Sequence, residues 1–239
     1  MKPIYHQEFT LTHMHVDRYG RATPAALLYL VQEAAGQHCA LLGVDHQALS
    51  PKRLFWAVSR NRVQISRLPR IGETVFIETW PMPTTKVAYP RSVVAFDKDG
   101  NELFRSISLW VLMDMQTRGM VLPGKSEVTV AGVLVGSEPD APRAIATREM
   151  EHTANRTVGF SLLDRNGHMN NTRYMDWVMD LLPSAFHQDH PVQEFTVCYM
   201  NEALEGDQIA LSFDLTEGSV LTVDAQREGT RIFSAQLQF

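Results

Sequence analysis

The chain has 239 residues, 44% of them hydrophobic and 21% charged, with a formal net charge of −5. This composition is typical of a globular protein, its acidic balance argues against a nucleic-acid partner, and no stretch approaches the ~18 apolar residues of a membrane span. The two cysteines, Cys39 and Cys198, have no paired spacing. They therefore predict neither a disulfide framework nor a zinc site, and we expect a cytoplasmic protein.

The first third of the chain predicts one strand followed by a long helix. Residues 4–16 alternate loosely between apolar and polar and predict the strand. Thr23 is a typical N-cap residue, and Pro24 follows at the first helical position. An apolar face runs over 27–42, and Gly43 is a typical helix-ending residue.

Further antiparallel strands are predicted by alternation with a period of two. One covers 54–65, and a second begins at Val75 after the turn at Gly72. Two more cover 87–96 and 103–113, on either side of an Asp-Gly turn, which is a strong hairpin signal. The first half is thus predicted to be a helix with an antiparallel sheet.

A linker is predicted between two halves, because glycines and prolines replace the amphipathic pattern there. The residues concerned include Gly132, Gly136, Pro139 and Pro142. We expect an N-terminal domain over 1–125, a linker over 126–145 and a C-terminal domain over 146–239.

The turn signals of the first half return in the second half in the same order. Asp17-Arg-Tyr-Gly20 returns as Asp164-Arg-Asn-Gly167, Pro69–Glu73 returns as Ala203–Asp207, and Gly100–Phe104 returns as Gly229–Phe233. Such an internal repeat predicts two copies of one unit. The expected fold is therefore α+β, with two long helices, each wrapped by an antiparallel sheet.

The stretch from Asp164 to Trp177 concentrates polar side chains before the second predicted helix. Asn166-Gly167 is a turn pair, and Asn170 and Asn171 are typical N-cap residues. Free backbone N–H groups at a helix start can bind a carbonyl oxygen, so Gly167, Asn170 and Asn171 are candidate oxyanion residues. An ordinary capped helix after a polar loop is the alternative. The apolar face of this helix is predicted to contain Tyr174, Trp177, Val178 and Leu181.

The pattern Asp164-x-Asn166-x-His168-x-Asn170-Asn171-x-x-Tyr174 resembles the signature of hot-dog-fold thioesterases, and the duplicated layout resembles acyl-acyl-carrier-protein thioesterases. Other segments extend the resemblance over nearly the whole chain: Gln32–Ala35, Trp56–Arg60, Arg67–Pro69, Thr79-Trp80 and Ser108–Asp114. The resemblance implies a tandem hot-dog fold with joined sheets. It implies no metal and no organic cofactor.

The resemblance also assigns catalytic residues. The family carries its acid in a Tyr-x-x-Glu setting, which corresponds to Glu202 here. Glu202, assisted by His168, would activate water, Asn166 would hold the thioester or the water, and Asp164 would fix the Asn166 amide and the turn. Many plant members have a cysteine directly after the acid, but this chain has Ala203, which disfavours a cysteine nucleophile. Carboxylate attack giving an anhydride is the minority alternative.

The acyl slot and the carrier surface are expected in the first half. The resemblance implies that the slot lies near the first helix and the strands at Trp56 and Trp110. Residues 47–72 contain no acid but six basic residues, among them Arg60, Arg62, Arg67 and Arg70. This charge predicts a surface that attracts an acidic carrier protein, although a solvated strand face with dispersed charges is the alternative.

The expected function is hydrolysis of a fatty acyl-acyl-carrier-protein thioester to a free fatty acid and the holo-carrier protein. Two alternatives stay open, an acyl-coenzyme A thioesterase and a non-catalytic module that binds acyl thioesters. A 3-hydroxyacyl dehydratase is disfavoured, because those enzymes typically carry their histidine in a Pro-Gly-rich segment, whereas His168 lies in Gly-His-Met-Asn-Asn. Both a monomer and a homodimer are compatible with the sequence.

Overall fold

The computed structural model describes residues 3–136, 140–216 and 219–239. The first half contains β1 (Tyr5–Thr10), α1 (Pro24–Leu41), α2 (His46–Leu49), β2 (Leu54–Ile65), β3 (Thr74–Pro81), β4 (Tyr89–Phe96), β5 (Glu102–Asp114) and β6 (Met120–Val121). The second half contains β7 (His152–Thr157), α3 (Tyr174–Met179), α4 (Ser184–Asp189), β8 (Glu194–Tyr199), β9 (Gln208–Thr216), β10 (Val220–Arg227) and β11 (Thr230–Gln238). The order of helices and strands is α+β, as predicted.

The strands of the described residues form one sheet of eleven strands with antiparallel pairing throughout. The strand order is β1-β3-β4-β5-β2-β8-β11-β10-β9-β7, with β6 paired to β5. Strand β2 pairs with β8, where Arg60 is opposite Cys198. This pair connects the two halves at the centre of the sheet.

Helix α1 begins and ends where its sequence predicts. The Thr23 Oγ1 accepts a hydrogen bond from the Ala26 N–H at 3.1 Å, and Pro24 occupies the first helical position. Gly43, just past the end, has a φ of +67°, a value that favours glycine. Buried apolar side chains of α1, including Leu27 and Val31, pack against the sheet in one continuous core.

The first predicted strand is shorter than expected. Strand β1 ends at Thr10, and a 3₁₀ turn replaces the rest of the predicted strand over His13–His15. The Thr12 N–H donates to Nδ1 of His15 at 3.1 Å, and this local bond stabilises the turn.

The prediction of two long helices is wrong for the second half. Helix α3 has only six residues, and α4 is a separate helix of six residues. Pro183 precedes α4, has no N–H to donate, and disfavours helical backbone at Leu182. The apolar face was correctly predicted for Tyr174, Trp177 and Val178, which are buried, but the helix ends at Met179, before Leu181.

The predicted linker contains no helix or strand among its described residues, and Pro139 lies outside them. Its backbone contacts the sheet at several points. The Val133 N–H donates to the Pro81 carbonyl at 2.9 Å, and Arg60 Nη1 donates to the Pro142 carbonyl at 3.4 Å. Among the described residues, no helix is long and apolar enough to cross a membrane.

Candidate active site

The turn from Asp164 to His168 is organised by the Asp164 carboxylate. Its Oδ1 accepts the N–H of Asn166 at 2.7 Å and the N–H of His168 at 3.3 Å. The Asn166 side-chain amide lies 3.4 Å from Oδ2 of the same carboxylate. Gly167 has a φ of +79°, which a residue with a Cβ adopts only at a cost. This turn therefore fixes the directions of the Asn166 and His168 side chains.

Glu202 reaches the turn from the loop that follows β8. The Met169 N–H donates to the Ala203 carbonyl at 2.8 Å, and an isolated bridge pairs His168 with Leu204. These backbone contacts place the loop beside the turn. Nε2 of His168 and Oε2 of Glu202 are consequently 3.4 Å apart. The two side chains are 24% and 45% exposed, so both are accessible to a small reactant.

A cavity of about 420 Å³ lies in front of this pair. Asp164, Asn166, His168 and Glu202 all line the cavity, so the structure brings together the four predicted catalytic residues. The first half contributes the opposite wall through Gln32, Phe55–Ser59, Trp110, Val111, Met113 and Arg118. The candidate site is thus built by both halves of the chain.

Two of the three predicted oxyanion residues have no free N–H group. The Gly167 N–H donates to the Asp164 carbonyl at 3.1 Å, and the Asn170 N–H donates to the Leu162 carbonyl at 2.8 Å. The prediction is therefore wrong for the N–H groups of Gly167 and Asn170, because the turn itself uses both. Asn171 lines the cavity, and its N–H has no acceptor within the described part of the chain.

Arg118 belongs to the site although its sequence context did not single it out. It lies in the turn between β5 and β6, and its Nη2 forms an ion pair with Oε1 of Glu202. Its guanidinium also lies 4.7 Å from the centre of the Phe55 ring. These contacts join residues far apart in sequence, so no local motif predicts them.

Two tyrosines, the buried Tyr174 and the half-buried Tyr199, line the cavity near the helix start. The Tyr199 hydroxyl donates to the Asn171 carbonyl at 2.9 Å, and Tyr174 packs 5.9 Å from the Tyr199 ring. Burial raises the pKa of both phenols. Neither tyrosine can therefore serve as a base near neutral pH, whereas the His168 imidazole and the carboxylates of Glu202 and Asp164 also line the cavity.

The four arginines predicted to attract a carrier do not line this cavity in the described structure. Arg62 forms an ion pair with Glu194, at 2.8 Å between Nε and Oε1. Arg67 pairs with Glu73 and Asp97. Arg60 contacts the linker carbonyl of Pro142, and the Arg70 backbone N–H donates to Glu73. Carboxylates thus compensate the charges of at least Arg62 and Arg67.

A second, larger cavity of about 540 Å³ lies beside α1. Gln32, Trp56 and Trp110 line this cavity as well as the first one, so the two adjoin. Its remaining lining combines apolar residues with charged ones; the apolar residues include Ala35, Gly36, Ala40, Val44, Tyr89 and Val130, and the charged ones are Glu33, Asp45, Arg91 and Arg165. An apolar space next to the imidazole–carboxylate pair suits a ligand with a reactive head and a hydrocarbon tail.

Arg91 forms part of the wall of this second cavity and is only 5% exposed. Its Nη1 donates to Nδ1 of His38 at 3.1 Å and to Oγ1 of Thr79 at 3.2 Å. Burial and the neighbouring Arg91 charge lower the pKa of His38 to about 4. His38 is therefore neutral at pH 7 and accepts the bond from Arg91.

The family model for the N-terminal domain of acyl-ACP thioesterases (ACP, acyl carrier protein) matches residues 2–124. The model for the C-terminal domain matches residues 145–239. The chain therefore belongs to the acyl-ACP thioesterase family.

Curated relatives carry names of the same family. The chain is 27% identical over 214 residues to a palmitoyl-acyl carrier protein thioesterase of Gossypium hirsutum, covering 83% of this chain and 52% of that protein. It is 24% identical over 227 residues to an oleoyl-acyl carrier protein thioesterase of Arabidopsis thaliana, covering 86% and 62%. Both names include the word chloroplastic. The chain thus spans between about half and three-fifths of the length of these relatives.

Solved structures show the same fold over the whole chain. An acyl-ACP thioesterase from Bacteroides thetaiotaomicron has a TM-score of 0.87 at 24% identity, covering 99% of this chain and 98% of that one. A 12:0-ACP thioesterase from Umbellularia californica has a TM-score of 0.83 at 23% identity, covering 100% and 97%. The predicted α+β fold with a large antiparallel sheet is confirmed.

Proposed function

We propose that the protein hydrolyses the thioester of a fatty acyl-acyl carrier protein and releases a free fatty acid and the holo-carrier protein. The observation that carries the proposal is the 3.4 Å contact between His168 and Glu202 beside two adjoining cavities. Family membership supports it, and the relatives named above are called thioesterases of acyl carrier proteins.

In the proposed mechanism, Glu202 accepts a proton from a water molecule while His168 orients the carboxylate and the water. The water oxygen attacks the thioester carbonyl carbon, and the carbonyl oxygen becomes an oxyanion. The N–H of Asn171 and the side-chain amide of Asn166 stabilise that charge or hold the thioester. The proton then passes to the sulfur as the carbon–sulfur bond breaks, which releases the thiol.

Water is the proposed nucleophile, because no cysteine is among the described residues that line the cavity around Glu202. Ala203 follows Glu202, is fully buried, and contributes its backbone carbonyl to the turn contact. Cys198 is buried in β8, and burial raises the pKa of its thiol, which disfavours the thiolate. Carboxylate attack by Glu202 to give an anhydride remains the minority route.

We further propose that the fold is a tandem hot dog, with domains over 1–125 and 146–239 and a linker over 126–145. Equivalent backbone bonds support the duplication. The Leu11 N–H donates to the Glu73 carbonyl in the first half, and the Val158 N–H donates to the Asp207 carbonyl in the second. The β2–β8 pair would join the sheets of the two copies.

The larger cavity is the proposed acyl slot. Its apolar lining lies between α1 and the strands that carry Trp56 and Trp110, and it opens toward the cavity that contains Glu202. A chain bound there would place its thioester at the catalytic residues. Substituting Gly36, which faces open space where a side chain would project, with a larger residue should shorten the preferred acyl chain.

The proposed partner is an acidic acyl carrier protein, approached through Arg60, Arg62, Arg67 and Arg70. Carboxylates already pair with two of these arginines, so their net attraction is weaker than the sequence suggests. Charge reversal at Arg60 and Arg70 should reduce turnover of carrier-linked substrate more than turnover of coenzyme A thioester. Equal losses would remove this surface from the proposal.

The proposed compartment is the cytoplasm, because both cysteines are free thiols. A monomer and a homodimer are both compatible with the proposed reaction, since one chain supplies every proposed catalytic residue. Gel filtration of the purified protein would distinguish them.

The decisive experiment is free-thiol release from acyl-ACP and acyl-coenzyme A thioesters of graded chain length, with wild type and Glu202→Ala compared. Rapid turnover of acyl-ACP that the variant loses is the expected result. Faster turnover of the coenzyme A series would favour the alternative acyl-coenzyme A thioesterase. Binding of acyl-ACP without thiol release would leave a non-catalytic binding module.

A further inference from the structure

Arg118 is supplied to the Glu202 carboxylate by the opposite half of the chain. It lies in the β5–β6 turn, which the Asp114 carboxylate organises by accepting the N–H groups of Gln116 at 2.9 Å and Thr117 at 2.7 Å. The Arg118 N–H donates to the Asp114 carbonyl at 3.0 Å, and its φ is +56°. An ordered turn therefore sets the direction of the Arg118 side chain.

The guanidinium of Arg118 has two partners, the Phe55 ring and the Glu202 carboxylate. It lies 4.7 Å from the centre of the Phe55 ring, within the range of a cation–π contact, and it pairs with Oε1 of Glu202. The other carboxylate oxygen, Oε2, lies 3.4 Å from the His168 imidazole. Among the described residues, no other side chain forms an ion pair or a hydrogen bond with this carboxylate.

Stability does not explain the ion pair. Both side chains are more than two-fifths exposed, and exposed pairs of this kind typically stabilise a fold by at most ~1 kcal/mol. Orientation explains it better. With Oε1 bound to a guanidinium on a fixed turn, the carboxylate cannot rotate freely, and Oε2 stays directed at His168 and the adjacent cavity.

We propose that Arg118 is a positioning residue for the reaction, which holds Glu202 in the orientation needed to accept the proton of water. This inference rests on the proposed hydrolysis and adds a role for the first half of the chain. Arg118 itself acts through Glu202 and does not touch the reacting atoms.

The test is a double-mutant cycle of Arg118→Met and Glu202→Gln, assayed by thiol release from acyl-ACP. Arg118→Met should lower kcat by ~10- to 100-fold with KM changed less than about threefold, since an orientation is lost while the substrate contacts remain. In the Glu202→Gln background the same substitution should have less than about threefold effect. Arg118→Lys should recover part of kcat, because it restores the positive charge.

Arg173→Met is the matched control. Arg173 forms another exposed ion pair, with Asp176 at 3.2 Å, and lies outside the predicted carrier surface, so its loss should leave kcat within about twofold. A fall in kcat equal to that of Arg118→Met would show a general effect of rim charge and overturn the proposal. Additive losses in the cycle, or a change in KM alone, would overturn it as well.

Crystal structures of wild type and Arg118→Met separate this proposal from the proposed function. The variant should show the Glu202 carboxylate turned away from His168, whether or not the wild type hydrolyses thioesters. An unchanged contact would overturn the positioning role. A wild type that keeps the contact but releases no thiol would overturn the hydrolysis and leave the positioning of the carboxylate intact.

Discussion

The turn at Asp17 and the turn at Asp164 have the same backbone and different surroundings. Asp17 Oδ1 accepts the N–H groups of Tyr19 and Arg21, just as Asp164 Oδ1 accepts those of Asn166 and His168. The bond across each turn, from the Asp N–H to the carbonyl four residues later, measures 2.8 Å in both. The sequence repeat is thus a repeat of hydrogen bonds.

The side chains that leave the two turns have different targets. Arg21 donates to the His187 carbonyl at 2.5 Å and to the Gln188 carbonyl at 3.2 Å, and the Tyr19 hydroxyl donates to the Ser184 carbonyl at 2.7 Å. The first turn therefore fastens α4. In the second turn the equivalent side chains, Asn166 and His168, line an open cavity. The same turn conformation thus holds a helix in place in the first half and lines the candidate active site in the second, according to the side chains it carries.

The comparison is tested most strongly by removing the equivalent side chains Arg21 and His168. His168→Ala should lower kcat for thiol release by ~10²- to 10⁴-fold, the usual range for loss of proton-transfer assistance, with little change in stability. Arg21→Ala should leave kcat within about threefold and lower the free energy of unfolding by ~1–3 kcal/mol, because two carbonyls of α4 lose their donor. Kinetics and urea unfolding on both variants measure this. Loss of activity in both would contradict the division of roles.

A second difference between the halves is the exposure of a histidine: His38 in the first half is buried, whereas the His168 side chain in the second half is 24% exposed. His38 is 1% exposed in the first half, and its pKa is lowered from 6.5 to about 4. The unfolded chain binds a proton at this residue below pH 6.5, whereas the folded protein does not until about pH 4. The contribution of His38 to the free energy of unfolding should therefore be fully present above pH 6.5. It should fall by roughly 1 kcal/mol per pH unit between pH 6.5 and 4.

Urea unfolding at pH 7 and pH 5 measures this slope, with His38→Gln as the control. The glutamine offers Arg91 an acceptor oxygen but does not titrate, so the variant should lose less stability on acidification than the wild type. Equal losses would show that other groups produce the acid sensitivity.

The smallest expected effect concerns the glycines of the two turns. Gly20 and Gly167 have φ values of +72° and +79°, and a Cβ at either position would meet no atom closer than 3.6 Å. Gly20→Ala and Gly167→Ala should thus each lower the free energy of unfolding by ~1–2 kcal/mol through backbone strain alone. Thermal unfolding of both variants provides the measurement, and kcat should fall only for Gly167→Ala. Unequal stability losses would indicate that the turns are not equivalent.

The sequence correctly predicted those helices and strands whose ends are determined by residues next to them in the chain. The bounds of α1 follow from Thr23 and Pro24, and β2 covers the predicted residues because its alternation extends from Leu54 to Ile65. The second helix was predicted to be long because the apolar spacing continues from Tyr174 to Leu181, but α3 ends at Met179. Periodicity describes which face of a helix is buried but does not show at which residue the helix ends.

The residues of the candidate site also fall into two groups, those that the sequence could predict and those that only the structure shows. Asp164, Asn166 and His168 are close in sequence, so a motif could predict them, and Glu202 followed from the family resemblance. Arg118 approaches Glu202 from 84 residues away, and only the pairing of strands from both halves shows this contact. The hydrogen bond from the Asn170 N–H to the Leu162 carbonyl also depends on how the turn folds back. Sequence spacing alone predicts neither the Arg118–Glu202 ion pair nor the Asn170–Leu162 hydrogen bond.

The β2–β8 pair has a consequence for how such a chain can change. Two separate identical subunits would necessarily present two identical clefts, since any substitution would appear in both. Because one chain carries both turns, and β2 and β8 pair within one sheet, a substitution at Arg21 is not repeated at His168. Within one chain, the Asp17 turn can therefore carry side chains that bind α4 while the Asp164 turn carries side chains that line the cavity.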